Sequence, residues 1–313
     1  MEKFVIIADS TCDLTEEFQK KYDIEIIFGH LMLPGKKEMK SFLKWETVSM
    51  KDFYTALRKD PASFTTAPAS IDEYAEAFEK HVAQGEAVLS MSISGALSGS
   101  HAFSCKAREQ VLEKYPDAKI YCFDSLRYGP GFGLLAVYAS MKRSEGLTFE
   151  QTCEWLEENK QRFHQVGWLD DLSFVAKKGR LTHAKAFFGT LAGIKPIGEI
   201  DATGLTTIIG KIKGAKTAYA VLLMYINEIA ENLKEQTVFI AQSDRLAQAE
   251  AYKKMIEDKF SPKEVIIMDT YPSSGINVGP GLMGAYFMGK PITKDLEYER
   301  GLIEKFTKEI ESK

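Results

Sequence analysis

The chain predicts an α/β protein of two domains, an N-terminal α/β layer with a mostly parallel sheet followed by a C-terminal α+β domain. Three observations carry that expectation. Short apolar runs alternate with amphipathic stretches through the first half. After about residue 163 the texture changes to paired strand-like segments mixed with two long helical ones. The 313 residues, 45% hydrophobic and 27% charged, also supply more than one ordinary core. The boundary falls near residue 165, giving domains 1–165 and 166–313.

The elements follow in order. Phe4-Val5-Ile6-Ile7-Ala8 reads as a first strand, and it turns acidic at Asp9 too soon for a signal peptide. A helix over 15–21 can start at Thr15, and 24–28 is a second strand. Leu31 to Leu33 and the Pro34-Gly35 turn suggest a hairpin-like excursion. Helices are expected over 49–59 and 71–82, with Ser70 and Glu73 spaced as a capping box. The loop separating them holds Thr65 and Thr66. Strands over 87–91 and 119–123 bracket a helix over 102–113, and helices over 133–142 and 149–162 close this half.

In the second half, 172–176 is apolar and Lys177-Lys178-Gly179-Arg180 reads as a basic turn. A helix over 182–191 and a strand over 194–200 follow. Asp201-Ala202-Thr203-Gly204 is hairpin material leading to a return strand over 205–212. Long helices over 217–233 and 245–258 accompany strands over 238–242 and 265–270. The glycine-dense stretch 275–284 reads as a turn before an apolar run over 282–288.

Composition narrows the function. The net charge of −4 argues against a nucleic-acid partner, which usually calls for a basic excess. Cys12, Cys105, Cys122 and Cys153 show no CxxC spacing and no metal-ligand pattern with histidine. They fit reduced thiols in a cytoplasmic protein. No apolar run reaches the ~18–20 residues of a membrane span.

The most informative stretch is Ser92-Ile93-Ser94-Gly95-Ala96-Leu97-Ser98-Gly99-Ser100, directly behind a buried-type strand and ahead of a helix. Unpaired N–H groups at a helix start, with glycines allowing close approach, suit an oxyanion. Thr65 and Thr66, and the Gly279-Pro280-Gly281 loop, share that character. Each also has a structural reading, as backbone-bonded threonines or a helix-packing turn. Asp9-Ser10-Thr11-Cys12-Asp13 fits a turn and helix start, or a ligand-facing loop at a strand end. Arg180 beside Gly179 can close a turn, or clamp a carboxylate or phosphate with its planar fork. Neither GxxxxGK[ST] nor GxGxxG is present. A serine nucleophile in the 92–100 loop needs a base, for which His101, His183 and Asp124 are the nearby names. The G-x-S-x-G elbow is absent. A stand-alone hydrolase or transferase acting on a small acyl or phosphoryl compound is the alternative this leaves.

The order of these pieces resembles the DegV family, whose better understood members are the fatty-acid-binding subunits of bacterial fatty acid kinase. The resemblance rests on Asp9 to Leu14, on Trp45 with Phe53 and Tyr54, and on Thr66 ahead of Ala67-Pro68. It continues through Leu97-Ser98-Gly99-Ser100, Phe123-Asp124-Ser125, Gly179-Arg180-Leu181, Ile194 to Ile197 and Gly279-Pro280-Gly281. It implies a non-catalytic carrier with a long-chain fatty acid in an internal apolar tunnel and the carboxylate between the domains. A separate kinase subunit would phosphorylate that acid; no cofactor or metal is implied. The family's carboxylate-holding threonine and serine fall on Thr66 and Ser98, with Thr65, Arg180, Asn277, Gly279 and Gly281 as further ligand-binding candidates. Phe187, Phe188, Leu191, Ile194, Leu282 and Met283 are candidate tunnel lining, with core packing as the alternative for each. This chain departs from the family pattern at Asn277, where a histidine is usual, and at Gly95, where many members have a serine. Ala67-Pro68 and Lys213-Gly214 also differ from the common pattern, the latter at a position associated with kinase docking.

Overall fold

The structure is a computed structural model and describes residues 3–181 and 193–312. The helix expected over 182–191, together with His183, Phe187, Phe188 and Leu191, lies outside the described residues. The chain divides into two compact units that are discontinuous in sequence. The first takes Met1–Thr47, Ala62–Lys160 and Tyr271–Ser274; the second takes Val48–Pro61, Gln161–Thr270 and Gly275–Lys313. Each half of the chain therefore lends a segment to the other unit, which a single cut near 165 does not describe.

In the first unit, β1 (Phe4–Asp9) and β2 (Ile24–Ile27) are joined by α1 (Glu16–Tyr22). A small antiparallel sheet follows, of β3 (His30–Met32), β4 (Met39–Lys40) and β5 (Thr65–Ala67), in the order β4-β3-β5. Helix α2 (Met50–Lys59) belongs to the second unit, and α3 (Ile71–Val82) leads into β6 (Ala87–Ser92). Helix α4 (Ser100–Lys114) connects β6 to β7 (Ile120–Asp124), and α5 (Gly129–Ser144) and α6 (Phe149–Asn159) complete the layer. The main sheet runs β2-β1-β6-β7 with every pair parallel. Helical crossovers cover its faces, which is why β6 is buried along its whole length and reads as a continuous run rather than an alternation. Ile7, Val88, Phe78, Ala107 and Val111 form its core. All carboxyl ends of a parallel sheet share one edge, so Asp9, Ser92 and Asp124 end side by side.

The expected capping box is present: Ser70 Oγ accepts the Glu73 N–H at 3.2 Å, and Glu73 Oε2 accepts the Ser70 N–H at 2.7 Å. The loop expected around Thr65 and Thr66 is instead strand β5, paired to β3 with Thr66 opposite Leu31.

The second unit is built on β8 (Phe163–Leu169), β9 (Ile194–Ile200), β10 (Thr206–Lys213), β11 (Thr237–Gln242), β12 (Glu264–Asp269) and β13 (Leu282–Met288). They order as β10-β9-β8-β13-β11-β12, with only β11 and β12 parallel. The helices are α7 (Ser173–Lys177), α8 (Ala215–Ile229), α9 (Leu246–Phe260), α10 (Pro272–Val278) and α11 (Glu297–Glu311). Part of the stretch expected as a turn is therefore helix α10, which carries Asn277. The hairpin between β9 and β10 is as expected, closed by the Asp201 N–H on the Leu205 carbonyl at 2.9 Å.

Strand β8 has no counterpart among the expected elements. All seven of its residues are buried, and two of them are polar. His164 donates from Nε2 to the Lys290 carbonyl at 2.8 Å, and its Nδ1 lies 3.0 Å from Glu199 Oε2. Glu199 Oε1 accepts the N–H groups of Gln165 (2.7 Å) and Ile200 (2.9 Å), and the Tyr225 hydroxyl donates to Oε2 at 3.3 Å. The two buried side chains thus satisfy each other's polar atoms inside the sheet.

Candidate functional site

The candidate site in the first unit grows from the carboxyl edge of the parallel sheet. Asp9 ends β1 and is buried. Its Oδ1 accepts the Thr11 N–H at 2.9 Å and the Thr11 hydroxyl, while Oδ2 reaches across to the Ile93 N–H at 2.9 Å. Burial pushes the Asp9 carboxyl up, against these hydrogen bonds. Asp13 takes a left-handed conformation and accepts the Tyr271 N–H at 3.0 Å. The Asp9 to Asp13 segment thus serves as a turn that braces its neighbours. Among the described residues no cluster of three His, Cys, Asp or Glu is arranged to hold a metal ion.

Asp124, at the end of β7, braces the 92–100 loop from the other side. Both carboxylate oxygens accept the Gly95 N–H, and Oδ1 also accepts the Leu126 N–H at 3.0 Å. The remaining loop N–H groups are also engaged. Ser94 donates to the Arg127 carbonyl at 2.9 Å and Ala96 to Ser94 Oγ at 3.3 Å. Leu97 and Ser98 both donate to the Ser94 carbonyl, at 2.9 and 3.1 Å. Ahead of the helix start, every N–H from Ile93 to Ser98 therefore has an internal acceptor.

Ser98 is different. Its Oγ accepts the Ser100 N–H at 3.3 Å and lies 3.1 Å from Ser100 Oγ, at the first turn of α4. Either hydroxyl of that pair can be the donor, and the half-buried position keeps Ser98 reachable. Beneath it, Tyr74 is wholly buried beside Ser92 and Ser100, and burial followed by the nearby Asp9 charge pushes its hydroxyl up. The positive end of the α4 dipole favours an anion at this place. Of the base candidates among the described residues, His101 Nε2 faces Cys105 Sγ at 3.6 Å, and Asp124 holds backbone.

Thr65 and Thr66 are fixed through the small sheet. Glu73 ties that sheet to the start of α3, accepting from His30 Nε2 at 2.9 Å and from Lys40. Burial works to raise the Glu73 carboxyl, but the hydrogen bonds from Lys40, His30 and the Ser70 N–H outweigh it and bring it to about 2. Thr65 is exposed and Thr66 half-buried.

Arg180, Asn277, Gly279 and Gly281 belong to the second unit. Arg180 is half-buried and donates from Nη1 to the Lys178 carbonyl, closing the basic turn on itself. Asn277 is half-buried on α10. The glycine loop was expected to offer free N–H groups, and the structure corrects this. Gly279 N–H donates to the Gly275 carbonyl and Gly281 N–H to the Ser243 carbonyl, each at 2.8 Å. Ser243 Oγ donates to the Gly279 carbonyl at 2.8 Å and accepts the Leu282 N–H at 2.9 Å. These glycines are required by packing: both have positive φ, and a β-carbon would meet Phe174 at 2.4 Å from 279 and Asp170 at 2.7 Å from 281. Leu282 and Met283, candidate lining, are buried in β13, while Ile194 is half-buried in β9.

Comparison with known proteins decides the family. A profile described as "Uncharacterised protein, DegV family" matches residues 3–290. A DegV domain-containing protein of Clostridium perfringens is 34% identical over 289 residues, covering 92% of this chain and 98% of its own length.

The chain belongs to the DegV family.

Solved DegV structures share its fold. A DegV family protein from Thermus thermophilus, described as fatty-acid binding, has a TM-score of 0.80 at 23% identity, covering 92% of this chain and 99% of its own. The fatty acid kinase B3 protein of Streptococcus pneumoniae, loaded with linoleic acid, has a TM-score of 0.75 at 20% identity, covering 92% and 100%. Among the described residues of this DegV protein, no helix is long and apolar enough to cross a membrane.

Asp9 and Asp124 are the site residues that sequence reasoning left without their role. Both stand directly after apolar runs at strand ends, and that position was the available signal.

Proposed function

We propose that this DegV protein is a carrier that binds a long-chain fatty acid, receives its carboxylate on the hydroxyls of Ser98 and Thr66, and presents it to a separate kinase subunit. The observation that carries this reading is the state of Ser98. Its oxygen is oriented by the Ser100 N–H at the α4 N-terminus and contacts the Ser100 hydroxyl, a pair in which either can donate, so the Ser98 proton can turn to a carboxylate. The fatty-acid ligands described for the Thermus and Streptococcus relatives support the ligand class, and the kinase in the latter's name supports the partner.

The energetics favour an acyl tail. Burial gains ~0.8 kcal/mol per CH₂, so a sixteen-carbon chain gains on the order of 10 kcal/mol before ordering costs. A buried carboxylate costs several kcal/mol unless donors replace water, and the hydroxyls of Ser98, beside the α4 N-terminus, and of Thr66, on β5, supply part of that replacement. All four cysteines are free thiols, which fits a reducing compartment, and we place the protein in the cytoplasm.

Native mass spectrometry and lipid extraction of the purified chain test the proposal. One acyl ligand per chain, or uptake of palmitate or oleate by stripped protein, is the expected result. A chain that emerges empty and takes up neither acid overturns it.

A further inference from the structure

Helix α4 carries His101, Cys105 and Arg108 at spacings of four and three residues, which align them on one stripe. Across from it on β7, Cys122 sits in the buried cluster with Ile7, Val88, Ala107 and Val111, and Cys105 packs against the same cluster. The two thiols are neighbours, with Ser104 and the Arg108 guanidinium also beside Cys122. Cys105 Sγ lies 3.6 Å from His101 Nε2. Among the described residues, His101 Nδ1 and Arg108 Nε are buried without a hydrogen-bond partner. Two thiols, an imidazole and a guanidinium therefore share one place, and Cys105 is partly exposed. Reactive cysteines occupy such electropositive, partly accessible surroundings.

We propose that Cys105 and Cys122 form a peroxide-oxidisable pair, in which Cys105 reacts with a hydroperoxide and Cys122 resolves the product to an intramolecular disulfide. His101, whose Nε2 faces the sulfur, accepts the Cys105 proton. The Cys105 sulfur attacks one peroxide oxygen, the O–O bond breaks, and the other oxygen leaves as an alcohol (water, for hydrogen peroxide) with that proton. The sulfur of Cys122 then attacks the sulfenic acid on Cys105. An S–S bond forms, the S–O bond breaks, and water leaves with the Cys122 proton. Two electrons pass from the two thiols to the peroxide. The division of roles follows burial, which pushes the Cys122 thiol up to about 12 and makes it a poor first nucleophile. Cys12 and Cys153 are held up by burial as well and serve as internal controls. The bond would staple α4, whose first turn contains Ser100, to the strand that ends in Asp124.

The test treats the full-length native protein with hydrogen peroxide, alkylates the remaining thiols, and maps the products by non-reducing mass spectrometry. The expected result is one cross-linked peptide pair joining Cys105 to Cys122, reversed by dithiothreitol, with Cys12 and Cys153 alkylated. In Cys122→Ser the Cys105 sulfenic acid should accumulate and react with dimedone. His101→Ala should slow oxidation about tenfold while leaving the same cross-link. Four alkylated thiols after treatment, or terminal oxidation of Cys105 with Cys122 fully alkylated, overturns the proposal. Both outcomes are read on the unmutated protein, so neither depends on how a variant folds.

Discussion

The carboxylate of Asp124 grips the backbone of Gly95, its two oxygens 3.1 and 3.2 Å from the Gly95 nitrogen. A β-carbon at 95 would lie 2.8 Å from Asp124 Oδ2, so the bare glycine and the carboxylate fit as a pair. Gly95 is thus matched to a neighbour 29 residues away.

Gly95→Ala should displace Asp124 from its two N–H partners and cost about 1–2 kcal/mol. The same substitution in an Asp124→Ala background should cost less than half as much, because the clash has been removed. A double-mutant cycle of urea unfolding measures the coupling, and strictly additive effects would refute the pairing.

Ser98→Ala and Thr66→Val should each weaken fatty-acid binding by about 1–3 kcal/mol, roughly 5- to 150-fold, if each hydroxyl donates to a buried carboxylate. Titration calorimetry on delipidated protein reads this, with thermal melts as the control for folding. Unchanged affinity in the double variant removes both residues from the site.

Glu73 gives the first unit an acid-sensitive joint. Its folded pKa of about 2 lies below the ordinary 4.5, so its contribution is fully present above pH ~4.5 and fades as pH falls towards 2. Glu73→Gln should lower stability at pH 7 by on the order of 1–2 kcal/mol after solvent screening and flatten the loss between pH 5 and 2.5. Chemical unfolding across that range checks the sign. A variant with the same acid slope as the parent would show that Glu73 is not its source.

Gly281→Ala should destabilise the second unit by about 2–4 kcal/mol. The backbone is at φ +99°, and Asp170, which a methyl group would strike, is held by Lys195 at 2.6 Å and Arg245 at 2.5 Å. Binding by the folded fraction should be unchanged. An unaltered melting temperature with lost fatty-acid binding would instead return this loop to the ligand site.

Elements whose polar groups are satisfied locally were legible in the sequence. Helix α3 is the clearest, because its capping box lies within four residues and its apolar stripe follows the helical period. The parallel strands were readable as apolar runs. Strand β8 was not, because His164 and Gln165 interrupt the run and find their partners 35, 34 and 126 residues away. Helix α10 was hidden by its glycine-rich composition, which favours turns in isolation. The site divides the same way. Residue types and order pointed to the 92–100 loop, and the resemblance singled out Ser98. What local reading could not supply was that Asp9, 84 residues before Ile93, takes the Ile93 N–H and that Asp124 takes that of Gly95.

The His164–Glu199 pair has a consequence for how the second sheet assembles. Side chains alternate faces along a strand, so sliding β8 by one residue against β9 would swing His164 to the opposite face. Glu199 would then remain in the interior without its His164 contact, a mismatch of about 1–3 kcal/mol for a buried polar group left unsatisfied. Hydrophobic contacts alone discriminate poorly among alignments of a strand that is buried throughout. A single buried polar contact therefore works as a proofreading mark, rejecting the near-miss pairings that apolar packing would tolerate.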